Sequence, residues 1–317
     1  MNPRSFPLTP GPPGHGMTAM TKAFRLQFLL LLGLSCGSCV TRRATDFLTL
    51  PRRVENGDHW VKETRIRPVR FEVTAGDGIR LSALVVEASP HVRKLGTCYL
   101  FHGFGNSKEQ MLPTAKKLSA AGFRCVAWDS RGHGKSGGDR ATYGTREVDD
   151  ARRVTAAARK IDTTPGGVET VWAYSMGTAV ALQALPSWPE AKAAVLLAPI
   201  ADLEGILRYQ AGKRYSGAMT ALLPVVRTSV RQQAGFDPRS IRPVDAVRHT
   251  DAKLLFIHGS NDGTVPPVQS ARLLDACRPG QGKRLLLLGL GHGSVMWDLP
   301  ETAGDQAVAF LVKAAGK

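Results

Sequence analysis

Three short segments of this sequence place reactive side chains where a chain must turn sharply. Val171-Trp172-Ala173-Tyr174-Ser175-Met176-Gly177 is an apolar run that ends on a serine and passes straight into helix-forming residues. A serine on so tight a strand-to-helix turn has its hydroxyl pushed out of the backbone, and the bend needs small neighbours. Gly177 is one, and Ala173 stands where the G-x-S-x-G pattern has its first glycine. The competing reading of Ser175 alone is a helix N-cap. Ile257-His258-Gly259-Ser260-Asn261-Asp262-Gly263-Thr264-Val265-Pro266 sets Asp262 after a later apolar run and before a helix. There the competing reading is an Asx-turn or cap carboxylate. Gly289-Leu290-Gly291-His292-Gly293 puts a histidine among glycines after the last apolar run. Of the eight histidines, His292 has the position that suits a general base. Hydroxyl, carboxylate and imidazole are the parts of nucleophilic acyl transfer. The carboxylate orients the imidazole, the imidazole takes the hydroxyl proton, and the oxygen attacks an acyl carbonyl.

A fourth segment, Leu100-Phe101-His102-Gly103-Phe104-Gly105-Asn106, answers the remaining need, a pair of donors for the oxyanion that such an attack creates. The backbone N–H of Phe104 and that of Met176, next to the serine, are the expected pair. His102 is expected to fix the loop by hydrogen bonding and not to serve as the base.

Elements must bring these segments together. Thr97 to Phe101, Arg124 to Trp128, Thr170 to Tyr174, Ala193 to Leu197, Lys253 to Ile257 and Arg284 to Leu288 are short apolar runs suited to strands buried on both faces. Arg67 to Thr74 and Ile79 to Glu87 alternate apolar and polar residues around Ala75-Gly76-Asp77-Gly78, a hairpin signal. Helical stretches lie between the strands: Ser107 to Ala121, closed by Gly122, Arg146 to Ile161, Val265 to Cys277 and Thr302 to Ala315. Such alternation predicts an α/β fold, a mostly parallel eight-stranded sheet with helices on both faces. All four segments then fall at the carboxyl ends of strands, where open α/β sheets hold their ligands. Residues 201 to 250 are too long for a simple crossover and are read as a helical cap insertion.

On these residues the chain resembles the α/β-hydrolase superfamily. Within it, the chain is similar to the branch of serine aminopeptidase-like proteins, monoacylglycerol-lipase-like enzymes and bacterial acylaminoacyl-peptidase-like hydrolases. The resemblance covers residues 68 to 315, cap excepted. It includes Asp129-Ser130-Arg131-Gly132-His133-Gly134-Lys135-Ser136, which resembles that branch's D-x-R-G-x-G-x-S loop. The resemblance implies that this loop is structural, so Asp129 and His133 are not catalytic. It implies a triad of Ser175, Asp262 and His292, an oxyanion hole of Phe104 and Met176, and no metal or organic cofactor. No H-E-x-x-H or paired-cysteine motif is present to bind one. A phosphate-loop reading of Gly134-Lys135-Ser136 fails because its leading glycine would fall at Asp129. The expected substrate is a small-molecule acyl ester, with a peptide as the alternative. A non-catalytic binding protein on the same fold is the third reading.

The remaining readings concern location and charge. Lys22 and Arg25, the apolar run Leu26 to Leu34, and Ser35-Cys36-Gly37-Ser38 have the parts of a secretory signal peptide, placed at residues 1 to 40. Cys36 resembles the lipid-modified cysteine of bacterial lipoproteins, with Cys39 as the second choice; a plain signal peptide is the alternative. An exported protein facing the periplasm or exterior, held to the membrane by an N-terminal lipid, is expected. Residues 41 to 67 read as a tether and lead-in, and residues 68 to 317 as the hydrolase domain. Of the Cys residues, Cys98 and Cys125 lie in strand-like runs and are read as buried, inert thiols. The net charge of +16 comes mostly from beyond the leader. With no zinc-finger or RNA-binding signature, it reads as a solvated, arginine-rich surface, and no nucleic-acid partner is expected.

Overall fold

The computed structural model describes residues 37–54, 57–162, 167–215 and 217–316. The leader run Leu26 to Leu34 and Cys36 lie outside the described residues. No helix among the described residues is long and apolar enough to cross a membrane. Residues 44–317 form one compact unit.

Eight strands build one sheet: β1 (Val69–Thr74), β2 (Arg80–Val86), β3 (Gly96–Phe101), β4 (Phe123–Trp128), β5 (Val168–Tyr174), β6 (Ala191–Leu197), β7 (Lys253–Gly259) and β8 (Gly282–Leu287). Their order is β1-β2-β4-β3-β5-β6-β7-β8. The hairpin β1–β2 is antiparallel and joins β4 antiparallel, while β3 to β8 are mutually parallel. This is the α/β-hydrolase fold. The central strands are mainly apolar because both faces are covered, and their buried polar side chains such as Arg124 and Glu169 are paired. Tyr99 and Phe101 of β3 pack on one side with Val126 and Trp128, and Cys98 and Leu100 on the other with Cys125 and Ala127. Successive strand residues point to opposite faces, so neither face tolerates a polar residue without a partner. Cys98 and Cys125 are free thiols, and burial pushes Cys98 up to about 12.

Helix boundaries move inward from those expected, for local reasons. The stretch after Ser107 begins as a 3-10 turn, Lys108–Met111, before the α-helix Leu112–Ala120. The helix expected from Val265 starts only at Val268, after Pro266 and Pro267, because residues 262–265 are held in a turn described below.

One departure lies N-terminal to the sheet. Residues 41 to 67 were expected as a tether, yet they contain most of a helix, Gly37–Thr49, and all of another, Asp58–Thr64. Thr45 and Thr49 are fully buried, and Thr45 Oγ1 donates to Ser229 Oγ at 2.8 Å. Arg53 donates to the carbonyls of Gly134, Ser136 and Gly138, and Trp60 stacks on Trp297 with ring centroids 5.4 Å apart. The lead-in is therefore docked on the domain. Its charged composition conceals this, because the contacts are made by scattered polar and apolar side chains whose partners lie far along the chain.

Residues 201–250 fold as helices Leu203–Tyr215 and Leu223–Ala234 with shorter turns after them. Leu203, Ile206, Val230, Ala234 and Phe236 share a cluster with Met176 and Val265, on which Phe104 packs. The insertion thus rests on residues that flank the candidate site. Each of its four acids carries an arginine: Asp202 pairs Arg272, Glu204 pairs Arg208 and Arg227, Asp237 pairs Arg231 and Arg239, and Asp245 pairs Arg242.

Candidate active site

Because β3, β5, β7 and β8 run parallel, the loops after them emerge on one edge of the sheet, and each carries one of the predicted groups. Ser175 follows β5 at φ 50° and ψ −119°. This is a sparsely populated conformation for a non-glycine residue, and strain of this kind persists only when the surroundings over-determine it. They do so here: the Ser175 N–H donates to Leu197 O, and Ser175 O accepts from both the N–H and the hydroxyl of Thr178. Helix Met176–Ala184 starts at once. Gly177 permits its close approach to β3, because a methyl there would stand 2.6 Å from Phe101 O and 2.7 Å from His102 O. Ser175 occupies the N-cap position yet makes no side-chain cap bond. Its Oγ lies 2.9 Å from His292 Nε2 instead, which removes the N-cap reading of the hydroxyl.

Asp262 satisfies both readings at once. Oδ1 accepts from the N–H groups of Thr264 and Val265, both at 2.8 Å, closing an Asx-type turn. Oδ2 lies 2.7 Å from His292 Nδ1. The turn thus fixes the carboxylate and leaves its second oxygen for the imidazole. The Asp262 side chain is fully buried. Burial alone would raise its proton affinity, but hydrogen bonds from His258 and His292 outweigh that and hold the carboxyl below its ordinary range.

The His292 loop is stitched to the Asp262 loop. Asn261 N–H donates to Leu290 O, Gly289 N–H donates to Ser260 Oγ, and Asn261 Nδ2 donates to Gly289 O. Gly259 allows this contact, since a Cβ there would fall 2.2 Å from Leu290 O. From the other side the Tyr174 hydroxyl donates to His292 O at 3.1 Å. Burial, and then the Asp262 charge, raise the Tyr174 pKa, so the hydroxyl keeps its proton for this bond. Sequence reasoning passed over Tyr174; its place next to the serine was the available signal.

The tautomer follows from the partners. With Asp262 accepting, His292 carries its proton on Nδ1, and bare Nε2 faces the Ser175 hydroxyl. This is the state in which an imidazole can take a serine proton. Among the described residues, no hydrogen bond to an acceptor is seen for the backbone N–H of Phe104 or of Met176.

The groups expected to be structural are placed away from this relay. His102 Nδ1 lies 2.7 Å from Gly103 O, and its Nε2 accepts from Ser130 N–H at 2.9 Å. Burial lowers its pKa to about 4. Asp129 Oδ1 accepts from Lys108 N–H, and Oδ2 from Lys108 Nζ at 2.6 Å and Lys135 N–H. Lys108 was not anticipated: it is fully buried, a rare state for lysine that the Asp129 carboxylate makes possible. His133 is buried, with Nδ1 2.9 Å from Arg131 O.

Fold and site together define an α/β-hydrolase scaffold with a hydrogen-bonded Ser-His-Asp relay at its carboxyl edge. Residues 93–241 match the family described as serine aminopeptidase, S33. The uncharacterized protein YqkD of Bacillus subtilis is 25% identical over 241 residues, covering 75% of this chain and 77% of that protein. Among solved structures, an esterase of Pyrococcus furiosus superposes with a TM-score of 0.68 at 21% identity, covering 85% of this chain and 99% of the esterase. Est1E of Butyrivibrio proteoclasticus, solved with ferulic acid bound, gives 0.63 at 21% identity, with 78% and 100% covered. The Pyrococcus horikoshii acylaminoacyl peptidase gives 0.59 at 15% identity, with 78% of this chain and 41% of that one covered.

Proposed function

We propose that this protein is a serine hydrolase that cleaves a carboxylic ester through Ser175, His292 and Asp262. The observation that carries the reading is the relay itself: Ser175 Oγ 2.9 Å from His292 Nε2, and His292 Nδ1 2.7 Å from Asp262 Oδ2. In the first step His292 Nε2 takes the Ser175 proton as Oγ bonds to the acyl carbon, and the carbonyl electrons move to oxygen. The N–H groups of Phe104 and Met176 receive that oxyanion, each donor worth about 3 kcal/mol in sites of this kind. His292 then gives its proton to the leaving alcohol as the carbon–oxygen bond breaks, leaving an acyl-enzyme. Water, deprotonated by the same imidazole, repeats the addition and releases the acid. Asp262 stays ionised throughout and stabilises the imidazolium. The steps call for no metal or organic cofactor.

The resemblance of residues 93–241 to a serine aminopeptidase family supports a second reading, a peptidase of the same mechanism. The relay serves both, because ester and amide share the acyl carbon. A fluorophosphonate probe tests the common part. It is expected to label the wild type, to fail on Ser175→Ala, and to label His292→Ala far more slowly; undiminished labelling of Ser175→Ala would remove Ser175 from this role. p-Nitrophenyl esters of several chain lengths, assayed beside aminoacyl anilides, separate the two substrate classes, and faster turnover of esters is expected. Export and anchoring through a lipid on Cys36 belong to the same proposal and rest on the leader's sequence alone.

A further inference from the structure

A second imidazole reaches the carboxylate of the relay. His258 sits on β7, fully buried, four residues before Asp262. Its Nε2 lies 3.0 Å from Val265 O and 3.3 Å from Asp262 Oδ2. Both neighbours are acceptors, so Nε2 carries the proton and shares it between them. Its Nδ1 is buried with no partner. An N–H at Nδ1 would be buried with no acceptor, so the hydrogen that has acceptors sits on Nε2. Oδ2 of Asp262 therefore faces two imidazole N–H groups, from His292 and His258, while Oδ1 is filled by Thr264 and Val265.

On the triad reading above, we propose that His258 is a positioning residue that acts through Asp262. It tethers the carboxylate to the β7 end of the turn, and it tempers the negative charge felt by His292. Leaving a buried nitrogen without a partner costs free energy, and a ring kept only for packing would be replaced by an apolar one at no loss. The geometry gives the cost a return at the carboxylate.

The sign of the effect follows from the dipole. The positive end of the His258 N–H points at the oxygen that His292 also uses, so it disfavours protonation of His292. Its removal leaves the Asp262 carboxylate shared with one donor fewer, and the carboxylate then holds the charged form of His292 more strongly. The other groups facing His292 are Ser175 and Tyr174 from the β5 side, joined through Ser175 Oγ and the Tyr174 hydroxyl. From the insertion, Lys213 Nζ approaches Gly263, next to Asp262. None of these is altered by substitution at 258.

The test compares His258→Met, which removes the donor at similar volume, with His258→Gln, whose Nε2 reaches nearly the same place. For His258→Met the acid limb of kcat/KM is expected to move up by about half a pH unit, with kcat down roughly tenfold and KM unchanged. His258→Gln is expected to restore most of both. A downfield His292 Nδ1 proton, followed by NMR, should titrate with the same displacement and needs no turnover. A wild-type acid limb and unmoved proton resonance in folded His258→Met would overturn the proposal, as would equal losses in Met and Gln variants. Ser175→Ala run alongside keeps the two readings separate. If it is inactive while His258→Met behaves as wild type, the positioning role fails and the triad stands. If Ser175→Ala is active, the triad itself fails.

Discussion

Two buried aspartates lie near the carboxyl edge of this sheet, and one amide substitution in each should fail in a different currency. In Asp262→Asn, the side-chain oxygen takes the place of Oδ1 and keeps the bonds from Thr264 and Val265, so the turn survives. The amide NH2 then occupies the place of Oδ2, 2.7 Å from His292 Nδ1. Two donors cannot face each other at that distance. The imidazole gives up its Nδ1 proton, accepts from the amide, and carries its proton on Nε2, pointing at Ser175. The serine has lost its base. An exchange of this kind in a serine protease triad lowers kcat about 10⁴-fold, equivalent to about 5 kcal/mol of barrier. In Asp129→Asn, the buried Lys108 ammonium loses the carboxylate at 2.6 Å and keeps only Glu109 at 3.1 Å. Breaking one partner of a buried ion pair costs about 3 kcal/mol or more, which is roughly 5–10 °C in Tm for a domain of this size. Active-site titration with a fluorophosphonate, turnover of a p-nitrophenyl ester and calorimetry on both variants separate the cases. Asp262→Asn should lose turnover at near wild-type Tm, and Asp129→Asn should lose Tm at near wild-type turnover per folded molecule. If folded Asp262→Asn stays within tenfold of the wild type, the orienting role assigned to Asp262 is wrong. If Asp129→Asn abolishes turnover without lowering Tm, the carboxylate of the relay has been misplaced.

Acid should destabilise the fold before its carboxylates titrate. Burial lowers His102 to about 4 and His133 to about 3, the latter also by the His102 charge, against 6.5 for the free side chain. Between those values the unfolded chain binds more protons, so stability falls as pH falls from 6.5, by about 3 kcal/mol from His102 alone once pH is below 4. Urea midpoints from pH 7 to 4 measure it; a flat profile refutes it, and His133→Phe should shallow the lower part. Attachment to membranes should depend on the leader. In an exporting bacterial host, the full chain should sediment with membranes and incorporate radiolabelled palmitate, and Cys36→Ala should do neither. Label retained in Cys36→Ala would move the lipid elsewhere, with Cys39 next in line.

Legibility followed the range of each interaction. The central strands were readable because burial on both faces demands a mainly apolar run, and that run is local. Arg284 to Leu288 carries the same pattern, yet β8 lies at the sheet edge, half-buried or exposed, and Leu288 is outside it and exposed. The hairpin was readable because its turn is four consecutive residues. Ser175, Asp262 and His292 were readable because each must sit in a short loop between a strand and a helix, with glycine where backbone comes close. What could not be read depends on partners far away in the chain. Nothing beside Lys108 says that it is buried, because its carboxylate is Asp129, 21 residues on. Thr45 and Arg53 look like tether residues until Ser229 and the Gly134–Gly138 loop are placed beside them. The first residues of the Asp262 turn looked like helix for a related reason: the carboxylate bonds that hold them out of it are not visible in a hydrophobic pattern.

The bonds that hold the relay are distinct from those that hold its surroundings. Ser175 is fixed by Leu197 and Thr178, Asp262 by its own turn, and His292 by Asp262 and by Tyr174, 118 residues away. Those bonds say nothing about the acyl group. Phe104 stacks near Tyr143, which meets Phe236 of the insertion, and the Tyr143 hydroxyl donates to Leu48 O in the lead-in helix. Gln210 of the insertion donates to Gly263 O and Thr264 O, beside the acid. The insertion and the lead-in thus meet residues that neighbour the candidate site. On the proposed reading, the relay and the residues of the insertion and lead-in near it can be varied separately. Chain-length preference should therefore follow changes at Tyr143, Phe236 and Gln210, while reactivity toward a small fluorophosphonate follows Ser175, His292 and Asp262.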